Sequence, residues 1–207
     1  MSLIDLFTKG GPLMYVLALF SIMTVAIIIE KLIELRKTSK LDRAFAASFT
    51  AMKSLDELKQ FFNTNTVKSP LGRVIRKGTH LSDIGIEEAK DGMIAAASLE
   101  IHTLEGHLGM LSTLSAVSPL VGFLGTVTGM VKVFQKIQNN TAGVDISLLA
   151  GGIWEALLTT VGGLIVGIVA LMFYNSLVTK TESMTKMMEE TSNDFLLRVK
   201  TEMARRS

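Results

Sequence analysis

The amino-acid sequence predicts an all-α integral membrane protein with three transmembrane helices, of which the second and third are very long and extend into the cytoplasm. Three observations carry that expectation. The chain is uncharged from Pro12 to Ile29, from Leu108 to Val131 and from Ala156 to Thr179. Each run is about 18 to 24 residues, enough for a helix to cross roughly 30 Å of hydrocarbon. Between and after the runs, apolar residues recur at three- and four-residue spacing, the signature of amphipathic helix. The clearest turn-forming stretches are Thr64 to Pro70 and Asn139 to Asp145, so the runs continue into long helices.

Residues 1–11 are read as a short outside N-terminus and 12–30 as the first transmembrane helix. The first run is longer than a signal-peptide core, and Glu30-Lys31 follows it with no small-residue cleavage pattern. It is therefore expected to remain as a span. Lys31, Arg36, Lys37, Lys40 and Arg43 follow it, whereas only Lys9 precedes it. The positive-inside rule then places the N-terminus in the periplasm and the C-terminus, after three spans, in the cytoplasm. Lys180, Lys186, Arg198 and Lys200 agree with that orientation.

Residues 31–107 form the expected cytoplasmic helical region. Leu41, Phe45, Phe49, Met52, Leu55, Leu58 and Phe62 mark one amphipathic helix. A loop leads to Pro70, which suits a helical first turn, and Gly78 is expected to end that short helix. From about Asp83 to about Gln135 the sequence predicts a single helix, roughly 80 Å long. Met93, Ala97, Ile101, Leu104, Leu108, Leu111 and Ser115 lie on its continuing face. It contains the second transmembrane helix, 108–135. An outside loop at 136–147 leads to the third, 148–179, and a cytoplasmic helical tail occupies 180–207. Leu177, Met184, Met188, Thr191, Phe195, Val199 and Met203 continue one stripe along that tail, as core or subunit contact.

Several function classes fall away. There is no cysteine, so disulfides and thiolate metal sites are excluded. A net charge of +2 does not suit nucleic-acid binding driven by basicity. His102 and His107 bracket Glu105 too loosely for a metal site, and no metal or cofactor is expected. No nucleophile lies beside a base, and no phosphate-binding loop is present, so an enzyme or nucleotide-driven machine is not expected.

Glu155 is the outstanding residue. It heads an uncharged stretch and follows Ile146, Leu148, Leu149, Ala150 and Ile153, which place it below the membrane surface. A carboxylate there is expensive and usually faces a bundle interior or a hydrated path. The alternative is an interfacial acid marked by Trp154. Both adjoining helices have small, polar faces. Ser112, Ser115, Pro119, Gly122, Thr126 and Gly129 share one side of the second span. Thr159, Gly162, Val166 and Ala170 lie on Glu155's side of the third. GxxxG spacing at Gly125/Gly129 and Gly163/Gly167 predicts close helix packing. Each threonine alone can instead bond its own helix.

The stretch LSTLSAVSPLVGFLGTVTGMVKVF, followed after a loop by GGIWEALLTTVGGLIVGIVALMFYN, resembles the MotA/TolQ/ExbB proton-channel family, and three spans suit its ExbB/TolQ branch. The resemblance implies a pentameric ring in the bacterial inner membrane around a dimer of a single-span ExbD/TolR-like partner. That partner's aspartate would carry protons, and a TonB- or TolA-like transducer would receive the energy. By position, Glu155 is similar to the family's lumen-facing glutamate, and Thr126 and Thr160 to its two pore threonines. Thr159 is the hydroxyl aligned with Glu155 on an ideal helix, and Thr160 lies about 140° away. Trp154 stands where the family usually has a small residue, and Ala150-Gly151-Gly152 where Pro-Gly is common. The expected partners are thus copies of the chain itself, the two protein classes above and membrane lipids. A self-sufficient ion channel and a scaffold without an ion path are the rival expectations.

Overall fold

A computed structural model describes residues 10–52, 54–139 and 146–206. They form six helices: α1 (Pro12–Ala51), α2 (Leu55–Thr64), α3 (Pro70–Leu81), α4 (Ile86–Glu105), α5 (Leu108–Asn139) and α6 (Ile146–Arg206). Of the expected outer loop at 136–147, residues 140–145 lie outside the described residues and the remainder is helical, in α5 and α6; the expected N-terminus at 1–11 lies outside them except for Gly10 and Gly11. Three helical stretches are long and apolar enough to cross a membrane: they lie in α1, in the α4–α5 run and in α6. The chain divides into two compact units, and both α1 and α6 contribute to each.

The first unit comprises Met1–Glu30 and His107–Ser176. Its inward residues include Leu17, Leu111, Ser118, Ala156, Thr159 and Ala170. Its outward face is rich in large apolar side chains, among them Ile22, Leu120, Phe123, Ile165 and Met172. Water offers no reason for that arrangement, and a lipid or subunit surround does.

The second unit comprises Lys31–Gly106 and Leu177–Ser207. Phe45, Phe49, Leu58, Phe62, Leu71, Ile75, Met93, Met188, Phe195 and Val199 fill its core. Phe45 stacks on Phe49 and Phe62 at centroid distances of 6.5 and 6.0 Å. Buried Asp42 accepts from the Ser69 hydroxyl at 2.5 Å and the Leu71 amide at 3.1 Å, so α1 caps the start of α3. Burial pushes the Asp42 carboxyl above its ordinary range, against these two bonds. Arg73 grips Glu100 through two bonds of 2.5 Å, joining α3 to α4, and that bond holds its guanidinium all the more firmly charged.

The structure corrects four sequence expectations. The helix expected to run from Asp83 to Gln135 is two helices, because the chain turns at Gly106 and His107. His107 takes the left-handed conformation, φ 65°, and pairs through Nδ1 with Glu30 at 3.1 Å. Lys31, nearly fully buried, donates to the Leu104 carbonyl at 3.3 Å and so satisfies an orphan carbonyl at the end of α4. These partners lie far off in sequence, so spacing within 83–135 could not reveal the turn. The start also moves, from Asp83 to Ile86.

Second, Gly78 does not end α3. It is buried where a side chain would meet Met93 and Phe195, and the helix runs on to Leu81. Third, residues 41–62 are not one helix. Their first part continues α1 without a break, and the chain turns near Met52. There Arg198 donates to the carbonyls of Phe49 and Met52 at 3.1 and 2.6 Å. Glu202 accepts from the Leu55 amide at 3.1 Å, while Ser54 caps α2 locally. Two side chains one turn apart on α6 thus complete both helix ends. Fourth, of the two expected long helices only the last is unbroken: α6 has 61 residues, which corresponds to roughly 90 Å.

Candidate functional site

The first unit is built on an unusually close approach of α5 and α6. A side chain added at Gly163 would lie 2.5 Å from the Ser118 carbonyl and 2.9 Å from the Gly122 Cα. One at Gly122 would lie 3.1 Å from the Thr160 Cα, and one at Gly129 2.8 Å from the Ala156 Cβ. Gly167 meets the Pro119 ring in the same way, at 2.6 Å. Gly125 lies against the Thr159 side chain. The five glycines therefore form one seam, in which backbone touches backbone at Gly122 and Gly163. Only residues without large side chains permit this, and in lipid such packing replaces hydrophobic attraction.

Hydroxyls occupy the same seam. The Thr126 and Thr160 hydroxyls bond each other, and Thr160 also donates to the Gly122 carbonyl at 3.0 Å. Thr159 is buried and donates to the Ala156 carbonyl at 2.7 Å. The two neighbouring threonines of α6 thus divide their work: one bonds across the seam and the other bonds its own helix. Both face α5 within a single chain.

Glu155 stands one turn above Thr159. Its side chain is 36 % exposed, and its Oε1 lies 3.8 Å from the Lys132 ammonium. The turn before α1 covers it on another side. Gly11 there has φ +70°, and a side chain at Gly11 would collide with the Glu155 carboxylate. Glycine is required at this place twice over, by conformation and by space. Gly162, further along α6, faces Met14 and Leu17 of α1. The Glu155 side of α6 is therefore turned towards the start of α1, and the Thr160, Gly163 and Gly167 side towards α5.

Sequence reasoning singles out Glu155 and the threonines but marks neither Lys132 nor Gly11. The Gly10-Gly11-Pro12 triplet was the available signal, since it forces a turn directly before a helix. Lys132 gave none, because its approach to Glu155 depends on how α5 and α6 are set against each other. Trp154 is exposed, on the outward side of the same turn.

Comparison with known proteins follows the same stretch. The pattern of the MotA/TolQ/ExbB proton channel family matches residues 66–190. An ExbB homolog of Methanothermobacter thermautotrophicus is 27% identical over 176 residues, which cover 84% of this chain and 62% of that protein. The Tol-Pal system protein TolQ of Haemophilus influenzae is 29% identical over 203 residues, 86% of this chain and 84% of its own. The biopolymer transport protein ExbB of Salmonella typhimurium is 43% identical over a shorter stretch of 67 residues, 32% of this chain and 27% of its own. The chain thus spans less than two thirds of the Methanothermobacter protein.

Proposed function

The chain belongs to the MotA/TolQ/ExbB proton channel family, and from that premise we propose that it is the ring-forming subunit of an inner-membrane motor driven by proton-motive force. It is a multi-pass membrane protein and a channel subunit rather than an enzyme. In the proposed assembly, five copies surround the two membrane helices of an ExbD/TolR-like partner. Glu155, Thr126 and Thr160 face the lumen, and Thr159, buried within the chain, packs behind them. The N-terminus is periplasmic and the C-terminus cytoplasmic. The energised protein is TonB- or TolA-like, and lipids cover the apolar outer faces.

One observation carries the reading. The two threonines that resemble the family's pair share the α5–α6 seam, where the Thr126 and Thr160 hydroxyls bond, and Glu155 lies just over one turn along α6 from Thr160, on the side turned towards α1. A carboxylate and hydroxyls at membrane depth suit a proton path. The small seam suits a rigid wall against which a partner helix turns.

The first test is the native mass of the lipid-extracted complex, with the chain expressed alone and beside a single-span partner bearing a membrane aspartate. A five-fold ring that takes up two partner chains is expected. A monomer or dimer that ignores the partner would favour a scaffold. Within an assembled complex, Glu155→Gln and Thr160→Ala are each expected to reduce energy-dependent work at least tenfold while the native mass stays unchanged, a loss of about 1.4 kcal/mol or more in the driven step. Normal work by both variants would sink the lumen assignment.

A further inference from the structure

Two cavities flank Glu155. The wider, about 210 Å³, opens beside Lys132, Lys136, Gly151, Gly152 and Glu155. The smaller, about 20 Å³, has room for roughly one water and adjoins Gly10, Thr128 and Thr159. Lys132 and Glu155 line both. Their ion pair of 3.8 Å thus borders both spaces, as Gly129 does. The wider cavity carries two ammonium groups against one carboxylate, so its net charge among the described residues is positive. Lys132 and Lys136 are four residues apart and share one face of α5.

We propose that Lys132, with Lys136, makes the wider cavity selective for anionic groups such as a carboxylate. The inference rests on the reading of Glu155 as a residue of the ion path and adds the residue that controls what reaches it. A concave wall of one sign concentrates the opposite charge, and the effect weakens as salt rises. An anionic group entering here meets two cations before it meets Glu155. A hydrated cation meets repulsion first.

The chain has no cysteine, so a single introduced thiol reports on the cavity alone. Gly151 is the place for it, because a Cβ there meets nothing within 4 Å. Full-length Gly151→Cys protein in opened membrane fragments would be labelled with an anionic and a cationic methanethiosulfonate reagent, each rate divided by that with a free thiol. At low salt the anionic reagent is expected to be favoured about fivefold or more. Lys132→Met should lower that preference, Lys132→Met/Lys136→Met should abolish it, and Glu155→Gln should raise it. The same measurement on Glu155→Cys, which adds no new Cβ, covers the case in which Gly151→Cys fails to fold. A preference near one in the parent, or one that Lys132→Met leaves unchanged, would overturn the proposal. Labelling reads the charge of the cavity and not ion flow. A normal phenotype for Glu155→Gln with an intact preference would therefore sink the path reading and leave the charge assignment standing.

Discussion

The two units of this chain are held together by opposite means, although α1 and α6 contribute to both. In the first unit the contact between α5 and α6 is made of Gly122, Gly125, Gly129, Gly163 and Gly167, with threonine hydroxyls bonding across and along it. In the second unit the contacts are phenylalanine, leucine and methionine, closed by Asp42, Arg73, Glu100 and Arg198. The solvent accounts for the difference. In water, large apolar side chains gain by meeting one another. In lipid they gain nothing by leaving the tails, so helices adhere by close fit and hydrogen bonds, and the large side chains turn outwards. A single 61-residue helix follows the first rule over one part of its length and the second over the other.

The largest effect should come from breaking the close fit. Gly163→Val would place a branched side chain against the Ser118 carbonyl and the Gly122 backbone, neither of which can rotate away. Overpacking of this kind is expected to cost about 3 kcal/mol or more. Thermal unfolding in detergent would show it, while valine at the exposed Leu164 should change little. Equal midpoints for the two variants would mean that the seam is not what joins α5 to α6.

A smaller effect is expected in the second unit. Asp42→Ala leaves the Ser69 hydroxyl and the Leu71 amide without their acceptor, a loss of about 1–3 kcal/mol. The loss should depend on pH, with a sign set by the raised carboxyl. The folded protein holds the Asp42 proton to higher pH than the unfolded chain does, so folding takes up a proton between the two values. The carboxyl's contribution is thus fully present below its ordinary value of 3.8 and fades as pH rises through the raised one. Urea unfolding of parent and variant across this range would test it. Two parallel curves would contradict the burial of a protonatable Asp42.

The smallest effect should come from the Arg73–Glu100 pair. The Arg73 side chain is 39 % exposed, so solvent screens the attraction, and a double-mutant cycle is expected to return less than about 1 kcal/mol. A coupling of several kcal/mol would show that ion pairs carry a larger share of this unit than its aromatic core does.

The membrane class was open to sequence reading because hydrocarbon demands it: an uncharged run either spans or aggregates. The small faces of the second and third spans were equally open, since glycine, serine and threonine spacing marks a side of a helix directly. The stripe through Leu177, Met184, Met188, Thr191, Phe195 and Val199 proved buried for the same reason, whereas Met203 at its end is exposed. What periodicity could not give was the turns. Gly106-His107 looks locally like any isolated glycine, and its reasons are Lys31 and Glu30, more than seventy residues earlier. The turn near Met52 likewise waits on Arg198 and Glu202 of the last helix.

The sequence by itself determined the helical class, the three apolar spans, the small seam and Glu155 as the lone acid heading an uncharged run, because each follows from the composition of one segment against its solvent. Only the tertiary structure decided where the long helices break, which threonine bonds across the seam, and that Glu155 meets Lys132 beneath the Gly11 turn. Those are contacts between distant segments, and no local pattern encodes the register at which two packed helices come to rest.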